Sequence, residues 1–548
     1  MDYEKLAELL FPEVVTTPEE LEERFPPRSL PEGAVVTRMA PSPTGFVHLG
    51  NLIQGMISER MASQSDGVLF LRVEDTDAKR EVPGAIEILI KALKEYGIEF
   101  DEGETENGDK GAYGPYRQRR RADIYHVYAK KLVREGKAYP CFCTEEELTA
   151  MRQEQKKEKA NFGYFGKWAI WRDRSYDEIK SKIDAGEPWV LRFRSEGSDQ
   201  NKIKFTDLVK GQLELTENNM DHVLLKSDGI PTYAFAHVVD DHLMRTTHVV
   251  RGDEWLPSLP FHIQLFSALG FRPPKYLHIG TLMKMDGTSK RKLSKRKDPE
   301  LALTYYRKVG FPVECIWEYL MTVLNSNFED WRRGEPDAPL DKFKFSPKKL
   351  NPAGGLFDYA KLCDVSKNVI SRMTAEKVYD GYVDWAREFD PEFMETVSAD
   401  REKTIKIFSI GRGGKKPRKD FATWSEVKDF IGFFYDGYFK VTDSYPDQFD
   451  RSDIKKILGS FSGSLDLGDD QNVWFDKIKA IAKENGFADD MKEYKASPES
   501  FKGSVADVSM FIRVAVTGRM NSPDLYSVMQ ILGADETKKR LSDMTESI

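Results

Sequence analysis

Hydrophobic positions along the chain follow two rhythms, short unbroken apolar runs and apolar stripes spaced for one helix face. Val35–Met39 is a short run, and the polar, turn-forming loop Ala40–Phe46 follows it. Apolar residues resume at Leu49, Leu52, Ile53, Met56 and Ile57, the spacing of a half-buried helix. A second run, Val68–Val73, ends in Glu74-Asp75-Thr76-Asp77, and a helical pattern covers Pro83 to Tyr96. Strand, helix, strand, helix in this order predicts a parallel sheet with right-handed crossovers. Ligands of such sheets sit beyond the carboxyl ends of the strands, where Ala40–Phe46 and Glu74–Asp77 both fall.

The next helix, expected over Gln118–Glu135, carries Ile124, Tyr128 and Leu132 on one stripe. Beyond Ala138 shorter strands, Trp189–Arg194 and His222–Lys226 among them, surround a polar helix over Glu145–Lys159 and read as an inserted α+β domain. The α/β alternation returns with Thr232–Met244, Thr247–Arg251 and Trp255–Leu269, and from Pro299 the pattern is helical, with Gly/Pro-bearing connections near Pro352–Leu356 and Gly411–Pro417. The expected organisation is an extension (1–33), a Rossmann-type α/β catalytic domain in two halves (34–137 and 222–283), the insertion (138–221), a helical domain opening on a basic loop (284–385), and an all-α C-terminal region (386–548).

Composition narrows the class. At 548 residues the chain exceeds one core, and 40% hydrophobic with 31% charged residues is ordinary for a globular protein. No apolar stretch approaches the roughly 20 residues of a membrane span. Met1–Arg24 is acidic and amphipathic, unlike a signal peptide, and four cysteines fit a reducing cytoplasm. The net charge of −8 argues against a polyanion partner only weakly, because binding follows local potential. Seven of fourteen residues in Lys284–Lys297, four of five in Arg117–Arg121 and five of eight in Arg412–Lys419 are basic. One such run is more often a solvated face; three make a polyanion partner a reasonable expectation.

Two segments carry candidate chemistry. Ala40-Pro41-Ser42-Pro43-Thr44-Gly45-Phe46-Val47-His48-Leu49-Gly50-Asn51 is a loop opening a helix, where backbone N–H groups and the helix dipole favour an anion. His48 stands at the helix entrance, and Gly50 leaves room for a nucleotide. Lys292-Leu293-Ser294-Lys295-Arg296 follows Asp286-Gly287 without an apolar period, so its lysines are expected on a mobile segment able to close on phosphate charge. Alone, the first reads as a structural histidine and the second as a surface loop.

Together they resemble the HIGH and KMSKS signatures of class I aminoacyl-tRNA synthetases, with Asn51 last in the first and Leu293 and Arg296 substituted in the second. Arg38–Gly45, Arg72–Asp77, Gly114–Gln118, Lys226–Gly229, Pro231–Tyr233, Val239–His242, Arg251–Leu256 and Ile512–Gly518 look like glutamyl-tRNA synthetase, a likeness covering about residues 34 to 545. Glutaminyl-tRNA synthetases usually read P-P-E-P-N-G before HIGH and carry a small or neutral residue at the position of Arg251; this chain has A-P-S-P-T-G. Arg38 and Arg251 would offer guanidinium groups to a side-chain carboxylate, which a neutral amide would leave unbalanced.

The resemblance implies ATP-dependent attachment of L-glutamate to tRNA(Glu), and in some relatives to tRNA(Gln), through a glutamyl-adenylate, with tRNA bound before activation and the 2′ hydroxyl attacking. Glutamate's carboxylate is ionised at neutral pH, so activation needs no general base. The catalytic assignment is His48, Lys292, Ser294 and Lys295, with magnesium held mainly by ATP. Pro41, Thr44, Gly50, Asn51, Glu254, Trp255, Leu256 and Lys295 are expected around ATP. Arg38, Ser42, Glu74 (for the ammonium), Tyr233, His237 and Arg251 are expected around glutamate; some relatives carry Asn at the position of His237. The insertion is expected to bind the acceptor stem and residues 386–548 the anticodon, with a monomer in the cytoplasm. Cys141-x-Cys143 lies where many relatives hold half a zinc site, but Phe165–Ser175 has neither Cys nor His, so no zinc is expected.

Other classes fit less well. Nucleotidyltransferases that make dinucleotide cofactors share an H-x-G-H loop but are commonly single domains. A non-catalytic tRNA-binding relative would lack His48, Lys292, Lys295 or Glu74, and the glutamyl-queuosine type lacks the long helical C-terminal region.

Overall fold

In the computed structural model, which describes every residue except Ala78 and Arg80, the chain forms two compact bodies. They are Met1–Leu303 with Leu320–Phe357, and Thr304–Tyr319 with Asp358–Ile548.

The first body begins with α1 (Tyr3–Leu10) and α2 (Pro18–Arg24), the latter held by a Thr17/Glu20 capping box. These are not an appendage. Leu6, Ala7, Leu10, Phe11, Leu21 and Phe25 join the same hydrophobic cluster as Val36, Phe70, Tyr125 and Phe235. The apolar stripe of a helix this short is stable only against a partner, and that partner is the sheet's own helical layer.

The sheet follows the alternation read from the sequence. Strand β1 (Val36–Met39) leads to α3 (Leu49–Ser63) and β2 (Val68–Leu71), with Val36 opposite Val68 in parallel register. Helix α4 (Ala85–Glu95) then crosses to β3 (Glu102–Thr105), parallel to β2, and β4 (Gly108–Lys110) turns back on it. All four residues of β1 and of β2 are buried, as expected for strands covered on both faces. After α5 (Ala122–Arg134) come β5 (Ala138–Cys141), α6 (Glu145–Lys157), α7 (Tyr176–Asp184), β6 (Val190–Phe193), β7 (Lys202–Asp207), β8 (Gly211–Thr216) and β9 (Val223–Leu225). Here β5, β6 and β9 form one antiparallel sheet and β7–β8 a separate ribbon.

Helix α8 (Tyr233–Leu243) returns the chain to β10 (His248–Gly252), and α9 (Leu259–Leu269) leads to β11 (Lys275–Ile279), parallel to β10. The Thr247 N–H donates to the Val36 carbonyl at 3.0 Å, which sets β10 beside β1 on the side away from β2. Strand order therefore reverses between β1 and β10, and the crevice at their carboxyl ends is where a ligand of such a sheet binds.

The basic loop differs from its expected form. Residues Met283–Asp286 and Ser289–Lys292 pair as an antiparallel hairpin, β12 and β13, around Gly287, whose φ of +62° places it in the left-handed region. The segment expected as a helix connection, Pro352–Leu356, runs along β12: Met283 donates to the Gly355 carbonyl at 2.9 Å, and Phe357 to that of Met283 at 2.7 Å. Gly280 and Gly354 permit this approach, since a Cβ on Gly280 would fall 2.6 Å from the Gly354 Cα.

The second body is helical, with Tyr382, Ala386, Phe393 and Val397 buried in one part and Val508, Phe511, Ile512 and Ala515 in another. Trp424 donates its N–H to the Gly310 carbonyl at 2.8 Å, tying the short N-terminal segment into this body.

Candidate active site

A cavity of about 590 Å³ opens at the carboxyl ends of β1, β2, β10 and β11. Its wall unites Pro41, Ser42, His48, Gly50, Asn51, Glu74, Tyr233, Glu254, Trp255 and Lys292 from the expected set. Thr44, Leu256, Ser294 and Lys295, and the deeper Arg38, His237 and Arg251, are not in the wall.

At one end His48 is the N-cap of α3. Its Nδ1 accepts from the Gly50 N–H at 3.0 Å, while its own N–H donates to Asn51 Oδ1 at 3.0 Å. This reciprocal cap explains the Asn, which has the reach to close the box. It also gives Gly50 a reason different from the expected nucleotide clearance, because a Cβ there would stand 2.8 Å from the imidazole. With Nδ1 as acceptor, the ring's proton resides on Nε2 in the neutral form. Burial, then the Lys295 charge, hold the His48 pKa below its ordinary value against the opposing pull of Glu254.

Lys295 brings the second signature to the first. Its Nζ lies 3.7 Å from the centroid of Phe46, whose ring is 5.8 Å from that of His48. Asp298 organises the segment: it receives Arg291 at 2.6 and 2.9 Å and the Ser294 N–H at 2.8 Å. The Arg291 hydrogen bonds first, with the Ser294 N–H and Lys284, hold its carboxyl well below the usual range despite desolvation. Arg291 and Lys284 are thus neutralised, whereas Lys292 and Lys295 have no carboxylate partner among the described residues.

The other end is a buried ionic lattice. Asp241 of α8 accepts Arg72 at 2.6 Å and Arg38 at 3.4 Å, Asp240 accepts Arg121 at 2.7 Å, and Glu74 pairs with Arg72 at 3.2 Å. Desolvation pushes the Glu74 carboxyl up to about 7 despite Arg72 and Arg38. Three arginines thus face three carboxylates. Arg251 is a fourth buried arginine, and no carboxylate lies within ion-pair distance of it among the described residues. Its Nε donates to His278 Nε2 at 2.9 Å, its Nη1 contacts His262 Nδ1 at 3.2 Å, the Tyr276 ring lies 4.6 Å away, and its Nη2 has no hydrogen-bond partner among the described residues. Arg38, expected to share Arg251's task, is occupied by Asp241. His237, fully buried, contacts Asp241 at 2.9 Å and Tyr276 Oη at 2.9 Å, with Tyr233 stacked on it at 5.6 Å. Burial above all pushes its pKa down to about 4.

Other readings also change. The Arg117–Arg121 run is largely paired: buried Arg121 is held by Asp240, half-buried Arg117 by Glu104 at 2.8 Å and Arg119 by the Asp75 carbonyl at 3.0 Å, while Arg120 is exposed. In Arg412–Lys419, Arg412 donates to the Phe408 and Ile370 carbonyls at 2.6 Å, leaving Lys415, Lys416 and Lys419 exposed. Cys141 is buried with Tyr139, Tyr164 and Ala169, and Cys143 Sγ lies 3.5 Å from the Tyr164 hydroxyl. Sequence reading missed Gln54, Thr281 and Leu282 in the wall, and the set His262, Tyr276 and His278 around Arg251. The signal for the latter was histidine on strand and helix positions that alternate into the core.

A parallel sheet with its ligand crevice at the reversal point, a histidine-capped helix and a lysine hairpin beside it define a class I tRNA synthetase catalytic domain. Residues 34–328 match the catalytic domain family of class I tRNA synthetases (E and Q), and residues 415–545 match an anticodon binding domain family. The chain is 49% identical to the glutamate–tRNA ligase of Acetivibrio thermocellus, with 99% of each chain covered. It is 45% identical to that of Sorangium cellulosum, covering 96% of this chain and 97% of the other. The crystal structure of a glutamate tRNA ligase from Elizabethkingia meningosepticum in complex with its amino acid superimposes with a TM-score of 0.73 at 26% identity, covering 94% and 99%. The chain belongs to the glutamate–tRNA ligase family.

Proposed function

We propose that this cavity joins L-glutamate to ATP, forming glutamyl-adenylate and pyrophosphate, and passes the glutamyl group to the 3′ end of tRNA(Glu) with release of AMP. The observation that carries the choice of glutamate is Arg251: a buried guanidinium whose neighbours are neutral acceptors and whose Nη2 has no partner. A substrate γ-carboxylate supplies the missing charge, and a carboxamide does not. Glu74 takes the ammonium, which returns its carboxyl to the ionised form, and Ser42 and Tyr233 complete the wall. Tyr233 feels the charges of both Glu74 and Arg251.

The nucleotide takes the His48 end, against Pro41, Gly50, Asn51, Glu254 and Trp255. His48 Nε2–H donates to a phosphate oxygen, and the unpaired Lys292 and Lys295 gather the charge that builds as pyrophosphate leaves. Magnesium carried by the nucleotide would supply further positive charge to the phosphates. Asp298 anchors Arg291 and the Ser294 N–H, so Lys292 and Lys295 flank a fixed point of the segment. The test is ATP–pyrophosphate exchange with tRNA present, which must depend on glutamate. Charging of purified tRNA(Glu) and tRNA(Gln) decides whether both are substrates.

A further inference from the structure

We infer that Asp207 and His278 are positioning residues that lock the guanidinium of Arg251 in the orientation that leaves its Nη2 for the substrate's side-chain carboxylate. This rests on the glutamate reading of the cavity and adds two residues that no motif singles out.

Arg251 is 3% exposed, and its Nε–H donates to His278 Nε2 at 2.9 Å. That bond exists only if Nε2 carries no proton, so the ring's proton must stand on Nδ1. There it meets Asp207, whose Oδ2 lies 2.7 Å from His278 Nδ1. The Asp207 carboxylate is itself pinned by four donors: the His278 N–H, the Val209 N–H at 2.9 Å, the Lys210 N–H at 2.8 Å and the imidazole. Burial alone would raise its pKa, but His278 and the two following amides outweigh it and keep the group ionised. A fixed carboxylate selects one tautomer of His278, and that tautomer presents one acceptor to Arg251.

The other sides of Arg251 are closed. His262 Nδ1 lies 3.2 Å from Nη1, and the Tyr276 ring lies 4.6 Å from the guanidinium carbon, itself stacked on His278 with centroids 5.7 Å apart. Two nitrogens and one face are thereby occupied by neutral groups, and no anion has been brought in to quench the charge. An aspartate placed directly against Arg251 would fix it equally well but would compete with the substrate. Interposing a neutral imidazole fixes the geometry while leaving the charge unpaired. The device also reaches into the inserted segment, because Asp207 ends β7 and the next residue, Leu208, donates its N–H to the Tyr276 carbonyl at 2.9 Å.

The experiment is steady-state ATP–pyrophosphate exchange with tRNA present, on the full chain, for Asp207→Asn, His278→Ala, His278→Gln and Arg251→Ala. Asparagine can set an N–H opposite Nδ1 and so favours the wrong tautomer. Asp207→Asn and His278→Ala are expected to raise the glutamate KM about tenfold or more, while kcat stays within about twofold and the ATP KM holds in the fraction that remains folded. His278→Gln, whose amide can accept from Arg251 and donate to Asp207, should recover most of the loss. An unchanged glutamate KM in Asp207→Asn, or equal losses in His278→Ala and His278→Gln, would overturn the relay. If Arg251→Ala raises the KM while the Asp207 and His278 variants do not, only the relay fails; if Arg251→Ala also leaves it unchanged, the glutamate reading itself has failed.

Discussion

At the His48 end of the cavity the charges proposed to serve the phosphates are exposed and have no carboxylate partner among the described residues: Lys292 closes the hairpin and Lys295 lies just beyond it, next to the base held by Asp298. At the Arg251 end every charge is buried, and each is held by partners that are themselves held. The contrast matches two physical tasks. Charge that grows during reaction is best met by groups that can approach it, whereas a choice between carboxylate and carboxamide needs a group that cannot move away. Exposed lysines lose little by waiting in water. A buried guanidinium without an anion is costly, and on the proposed reading the substrate's carboxylate relieves that cost.

The comparison breaks most sharply at Arg251. Arg251→Ala should raise the glutamate KM about a hundredfold, in line with loss of a buried charge pair, with a smaller change in kcat; an unchanged glutamate KM would remove its assigned role. Lys295→Ala should act in the opposite way, lowering turnover at least about tenfold with glutamate KM and tRNA affinity nearly unchanged; normal turnover would mean that the hairpin does not serve the phosphates.

Glu74 gives a pH signature of the buried end alone. Its carboxyl, raised to about 7 by burial, is increasingly protonated as pH falls, and only the ionised form pairs with an ammonium. The glutamate KM should therefore climb below that pH, by up to about tenfold per unit, while the ATP KM stays level. A flat glutamate KM from about pH 8 to about pH 6 would show that Glu74 is already ionised in the free site. The smallest effect belongs to the cap: Asn51→Ala removes half of the His48 box and should cost about 1 kcal/mol of stability, seen as a drop of about one degree in thermal melting. A matching loss of turnover would show that the cap also orients His48 for catalysis.

Legibility followed the same division. The sheet, its crossovers and the two signatures could be read because each is local: an apolar run, a turn-rich loop, a lysine cluster. Asn51 was visible as a departure from the signature, but its capping bond was not. The lattice of Arg38, Arg72, Arg121, Asp240, Asp241 and Glu74 joins residues up to 203 positions apart, such as Arg38 and Asp241, which no local pattern predicts. The same holds for Asp207 and His278, 71 positions apart. Residues 1–33 read as an extension because their own stripe is short; the core they share with α5 lies a hundred residues on. Arg117–Arg121 looked like a solvated face or a polyanion contact, since basic residues in sequence do not reveal the buried acids that claim them.

The most direct test of the account is amino-acid-dependent ATP–pyrophosphate exchange by the full chain in the presence of tRNA(Glu), run side by side with glutamate and glutamine. The account predicts exchange with glutamate and none above background with glutamine at equal concentration. Comparable exchange with both would contradict the proposed reading, in which the substrate's side-chain carboxylate is the partner that Arg251 Nη2 lacks among the described residues.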